Sequence, residues 1–180
     1  SMEYDLTGPD PFAPFSGDFY AAAQHNDESY MRLTPEVDLT AATSAGLAFK
    51  LSYDVETGYD HVIVEARTAG GTNYTTLPDL NGGTTQIVPS ECEAGFFLDS
   101  HPFLANYLTL GAPCTPTGAT GAWNSFTGSS AGWVDARFDR SPYAGQQVEV
   151  SITYVTDPSS GGLGVFVDDT VETIGTGGGG

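Results

Sequence analysis

The spacing of the apolar residues constrains this chain more than any other feature. Leu47, Phe49, Leu51, Tyr53 and Val55 alternate with Ala48, Lys50, Ser52 and Asp54, the two-residue period of a half-buried strand. Val148, Val150, Ile152 and Tyr154 alternate with Glu149, Ser151, Thr153 and Val155 in the same way. No stretch long enough for a packed helix repeats at about 3.6 residues. Shorter strand candidates occupy 30–33, 37–40, 61–67, 74–77, 133–138 and 163–171. The 23 Gly and 11 Pro punctuate them as turns. Strands 47–55 and 61–67, joined by Glu56-Thr57-Gly58-Tyr59-Asp60, read as a hairpin closed by a loop. The sum is an all-β chain: a jelly-roll-like, antiparallel, two-sheet β-sandwich.

Organisation along the chain follows from composition. Residues 1–174 form one domain, with a Pro-rich, aromatic N-terminal stretch over residues 3–20. Residues 78–128 lack strand periodicity and form a long irregular insertion, and insertions of that length are functional or stapled. The Gly-rich end, 175–180, is the remnant of a linker. The Ser1-Met2 start suggests a piece cut from a longer chain.

Charge removes several function classes. The 180 residues carry 5 Lys+Arg against 23 Asp+Glu, a net charge of −18. No basic patch can be assembled, which argues against nucleic acid and anionic membranes as partners. No apolar run is long enough to insert into a membrane. The two cysteines, Cys92 and Cys114, lie inside the insertion. An even pair in a lysine-poor, acidic, Gly/Thr-rich setting predicts a disulfide and a secreted, extracellular protein. Closing a loop of that size contributes about 3 kcal/mol in the chain-entropy account.

Several segments together resemble a known family. They are Tyr53-Asp54-Val55-Glu56-Thr57-Gly58-Tyr59-Asp60, Tyr143-Ala144-Gly145-Gln146-Gln147-Val148 and Gly164-Val165-Phe166-Val167-Asp168-Asp169. The chain is similar, over roughly 16–172, to the jelly-roll accessory domain of immune inhibitor A type metallopeptidases, a relative of the MAM domain. His101-Pro102-Phe103-Leu104, Cys114-Thr115-Pro116-Thr117-Gly118 and Ser129-Ser130-Ala131-Gly132-Trp133 resemble the C-terminal region of secreted actinobacterial zinc carboxypeptidases. The resemblance implies a non-catalytic module beside the peptidase domain of the same parent chain, often with a structural calcium ion.

Candidate chemistry follows from these residues. Calcium takes six to eight oxygen ligands, mixing carboxylates with carbonyls. Glu56 and Asp60 close one Gly-containing turn, and the resemblance adds Asp168 and Asp169 by motif and Asp18 by position. His25-Asn26-Asp27-Glu28 fits the H-x-x-E spacing that begins a zinc peptidase site, but His61 and His101 follow too soon for the third ligand. No G-x-S-x-G elbow is present. Asn73-Tyr74-Thr75 is an N-x-T sequon. The alternative to an accessory role is a carbohydrate-binding module that targets a secreted enzyme to polysaccharide. It would stack sugar on an exposed aromatic platform, for which Trp123 in the insertion is the candidate. A peptide or carbohydrate is therefore the expected ligand class.

Overall fold

A computed structural model describes residues 21–23, 30–33, 36–157 and 162–176. Among the described residues, nine strands form two antiparallel sheets. They are β1 (Ala21–Ala23), β2 (Tyr30–Leu33), β3 (Glu36–Asp38), β4 (Ser44–Asp54), β5 (His61–Thr68), β6 (Thr75–Thr76), β7 (Val134–Asp139), β8 (Gln147–Val155) and β9 (Gly164–Gly175). The first sheet has the order β1-β9-β4-β7. The second has the order β2-β8-β5-β6, with β3 also paired to β8. The expected all-β sandwich is the fold observed.

The alternating residues meet between the sheets. Leu47, Phe49 and Leu51 of β4 pack with Ala136 and Phe138 of β7 and Val165 and Val167 of β9. Val62, Val64 and Ala66 of β5 and Val148, Val150 and Tyr154 of β8 close the core from the other side. The Phe49 and Phe138 rings stack at 5.5 Å. Two inner faces of β-branched and aromatic residues are the arrangement that period two produces when sheets pack face to face.

The hairpin expectation is overturned. β4 pairs with β7 and β9, and β5 pairs with β6 and β8, so the two strands lie in different sheets. Residues 55–60 are a corner between layers that lie roughly 10 Å apart. The segment returning from the insertion fills the place a hairpin partner would take. Val55 donates its N–H to Gly128 O at 2.9 Å, and Val62 donates to Phe126 O at 2.9 Å.

The irregular, stapled insertion expected over 78–128 carries short local elements. It holds a short helix, α1 (Phe96–Ser100), a 3-10 turn at Pro102–Asn106, and isolated bridges such as Thr109–Thr115 and Thr117–Ala122. Gly95, at φ +85°, turns the chain into α1, a conformation glycine adopts without a Cβ clash. The Cys92–Cys114 disulfide forms, with Cα atoms 6.1 Å apart.

This layer lies on the outer face of the second sheet and makes a second core. Cys92, Phe97, Leu104, Tyr107, Leu108, Cys114 and Trp123 pack on Ile63 of β5 and Val155 of β8. For that reason β5 is buried on both faces from His61 to Ala66. β9 runs on to Gly175, which pairs with Ser44, so the Gly-rich end begins inside a strand.

Candidate functional site

The corner between the sheets gathers one set of polar residues. Its turn is closed by Asp60 N–H donating to Glu56 O at 2.9 Å. Gly58 sits at φ +81°, where an added Cβ would stand 2.6 Å from Ser90 Oγ. Its N–H donates to Thr127 Oγ1 at 2.8 Å, and the Thr127 hydroxyl donates to Asp60 O at 2.9 Å. Asp60 is buried. Its carboxylate accepts the Asp157 N–H at 3.1 Å and the Glu56 N–H at 3.4 Å, and the Tyr154 hydroxyl lies at 3.5 Å. Burial first, then the nearby Asp60, Asp54 and Asp157 charges, push the Tyr154 hydroxyl well above its ordinary pKa.

Of the residues named from sequence for calcium, Glu56 and Asp60 share this turn, linked through the Glu56 backbone: its carbonyl accepts from Asp60 N–H and its N–H donates to the Asp60 carboxylate. Asp168 does not join them. It pairs across to Lys50 in mid-sheet, whereas the corner end of the same ladder pairs Asp54 with Gly164. Four residues of strand separate the two places, roughly 13 Å. Asp169 follows at φ +48°, its N–H donating to Asp168 Oδ1 at 2.7 Å. Asp18, His25 and Glu28 lie outside the described residues. The named set therefore does not form one cage, and among the described residues no group of three or more His, Cys, Asp or Glu is arranged to hold a metal. Sequence reasoning missed Asp157 and Tyr154 as neighbours of Asp60. The signal available was an acid placed directly after the β8 alternation.

A second set of polar residues is sealed between the insertion and the sheet. His61 Nδ1 and Ser125 Oγ lie 3.0 Å apart, with Trp123 and Phe97 edge-on to the imidazole at 5.1 and 5.7 Å. Burial lowers the His61 pKa to about 4, and the Gly58 backbone opposes that shift only in part. The ring is a neutral structural group. The Glu65 carboxylate accepts the Tyr107 hydroxyl at 2.5 Å and the Thr153 hydroxyl at 2.6 Å. His101 Nε2 and Thr156 O are 2.6 Å apart.

Trp123 must be corrected. It is fully buried in the second core, and its indole N–H donates to Ile87 O at 3.1 Å. It cannot serve as an exposed sugar platform. A tryptophan needs both apolar cover and one acceptor, and the layer supplies both.

The arrangement is thus a two-sheet β-sandwich module with a disulfide-stapled third layer. No protein-family profile matches the chain. It is similar to a metalloprotease, the pre-pro-metalloprotease PrtV of Vibrio cholerae serotype O1, in strains M66-2 and ATCC 39315. The likeness is 28% identity over 158 residues, covering 87% of this chain. The chain spans only 13% of that relative's length.

Proposed function

We propose that this chain is a non-catalytic accessory module of a secreted metalloprotease, working by docking and by positioning substrate or enzyme. The observation that carries the reading is the lopsided likeness: nearly all of this chain aligns with a small fraction of a metalloprotease. Fold alone would not license it. The buried disulfide fits an oxidising compartment, and among the described residues no helix is long and apolar enough to cross a membrane. A zinc carboxypeptidase parent is the finer form of the proposal. It rests on the resemblance of 101–104, 114–118 and 129–133.

The test is direct. The 180-residue chain is incubated with zinc and a panel of protein and C-terminally blocked or unblocked peptides, and no turnover is expected. Turnover that copurifies with the chain and disappears on chelation would sink the accessory reading.

Calcium belongs to the same proposal in a narrower form. Its support is that Glu56 and Asp60 close the same turn at the corner, where carbonyls of the turn would have to complete the oxygen shell. Unchanged metal content and melting temperature on chelation would remove it. The carbohydrate-binding alternative loses its anchor, because Trp123 is inside the second core.

A further inference from the structure

The two edges of the first sheet differ. The insertion caps the β7 edge: Leu80 N–H donates to Arg137 O at 2.7 Å, Arg137 N–H donates to Asp79 Oδ1 at 3.0 Å, and the Asn81 side-chain amide donates to Asp135 O at 3.1 Å. At the other edge β1 pairs with β9 only at Val165, Phe166 and Val167. Past a register shift opposite Ala48 and Lys50, β9 runs on to Gly175. There it has β4 on one side and, among the described residues, no strand on the other.

The free backbone groups on that side follow from alternation. In an antiparallel ladder, one residue turns its N–H and C=O to one neighbouring strand and the next residue turns them to the other. Arg140 N–H, just past β7, donates to Ala45 O at 2.8 Å. Ala45 and Leu47 thus face β7, and Ser44, Gly46 and Ala48 face β9. Their partners on β9 are Gly175, Thr173 and Val171, and Gly175 O accepts the Thr43 N–H at 2.8 Å on that same side. The N–H and C=O of Glu172 and Ile174 therefore point to the open edge. Residues 169–174 are all exposed, Val171 by 56% and Ile174 by 45%. Edges are commonly blunted by Pro or Lys, and residues 170–175 contain neither.

Charge says what this edge can receive. Asp168 and Asp169 stand at the start of the open stretch, and no Lys or Arg follows Arg140 to the end of the chain. Lys50, opposite Asp168, is already bound to Asp135. The Arg140 guanidinium, 3.6 Å from Glu172, is fully buried and presents nothing to a partner. A strand with Lys or Arg where it meets Asp168 and Asp169 is complementary. A second copy would bring the same acids and a net charge of −18.

We propose that the outer edge of β9, from Thr170 to Gly175, is a docking edge for an extended cationic segment of another polypeptide. The segment adds to the first sheet as an antiparallel strand, as β1 does on the same edge, and lays an apolar side chain beside Val171. This goes beyond the accessory-module reading and does not depend on a protease parent.

The test uses the isotope-labelled 180-residue chain and three fluorescent peptides of equal length. One alternates Thr and Val and ends in Lys-Lys, one ends instead in Glu-Glu, and one is the Lys peptide with its amides N-methylated. Fluorescence anisotropy is expected to show the Lys peptide binding at least about tenfold tighter than either of the others. In the free chain, the Glu172 and Ile174 amides are expected to exchange at least about tenfold faster than those of Val171 and Thr173, and the Lys peptide to close that gap. Ile174→Pro, which removes an outward N–H, should lose the tenfold, and Ile174→Thr, which keeps it, should not. Unchanged near-UV circular dichroism separates docking from folding in the variants, and the wild-type exchange stands without them. Unchanged exchange at Glu172 and Ile174 under saturating Lys peptide overturns the proposal, as does equal binding of the Lys and Glu peptides. Slow exchange of both amides in the free chain also overturns it. If that protection depends on concentration, the occupant is a second copy; if it does not, the chain itself covers the edge.

Discussion

Acidification should unfasten the insertion layer through His61. The imidazole is 1% exposed, wedged between Trp123 and Phe97, with the Ser125 hydroxyl 3.0 Å from Nδ1. Burial holds its folded pKa at about 4, against 6.5 for an ordinary histidine. Between those two values the unfolded chain binds a proton that the folded chain does not. Stability therefore falls as pH drops through that window, and the contribution levels off below the folded value. The full difference corresponds to about 3 kcal/mol, and to about 2 kcal/mol at about pH 5. Protonation of the many carboxylates overlaps this range, so wild type is compared with His61→Asn, which does not titrate. Urea unfolding is followed by tryptophan fluorescence from about pH 7 to about pH 4. The gap between the two proteins should shift in favour of the variant by about 2 kcal/mol on reaching pH 5. Parallel stability curves across that range would refute the claim that His61 is buried neutral.

Other substitutions probe the same layer. Trp123→Ala should cost about 3–5 kcal/mol in urea unfolding, as expected for an aromatic removed from a closed core; a cost below about 1 kcal/mol would contradict burial. Cys92→Ser combined with Cys114→Ser should lower stability by about 3 kcal/mol, with the largest rise in amide exchange between residues 92 and 114. An unchanged denaturation midpoint is the adverse result. Glu65→Gln places an amide N–H against the Tyr107 or Thr153 hydroxyl and should cost about 1–3 kcal/mol. Full stability in that variant would show that the carboxylate is not needed as a double acceptor.

How much of this was legible in the sequence depends on how local the information is. The β4 and β8 alternations are local, and strands appear where they predict them: Ser44–Asp54 and Gln147–Val155. The cysteine pairing needed no geometry, because only one pair exists. The β4–β5 hairpin failed because adjacency in sequence cannot distinguish a hairpin from a sandwich corner. Here residues 126–128, about seventy positions downstream, take the hydrogen bonds of Val55 and Val62. Nothing local in the sequence marks the polar His61, Glu65 and Thr153 for burial, yet all three are sealed under the insertion. Trp123, flanked by Gly, Thr and Asn residues, carried no periodic signal for burial. The Asp60–Asp157 contact joins residues 97 positions apart, and no spacing rule reaches that far.

The polar groups under the layer explain why it has one position on the sheet. Apolar contact alone is non-directional, and a loop-rich layer held only by Phe97, Leu104 and Leu108 could slide over Ile63 and Val155. Hydrogen bonds at separate points remove that freedom. Glu65 fixes Tyr107, Thr156 fixes His101, and Ser125 is set against His61. Any slip would leave a buried donor or acceptor without its partner, at about 1–3 kcal/mol each. The Ile87 carbonyl, tied to Trp123, carries the same register to the outer surface. The polar seam beneath the insertion therefore fixes how the insertion sits on the sheet. A variant such as Glu65→Gln should raise amide exchange across the insertion without touching an exposed residue, whereas a purely apolar layer would leave exchange there unchanged.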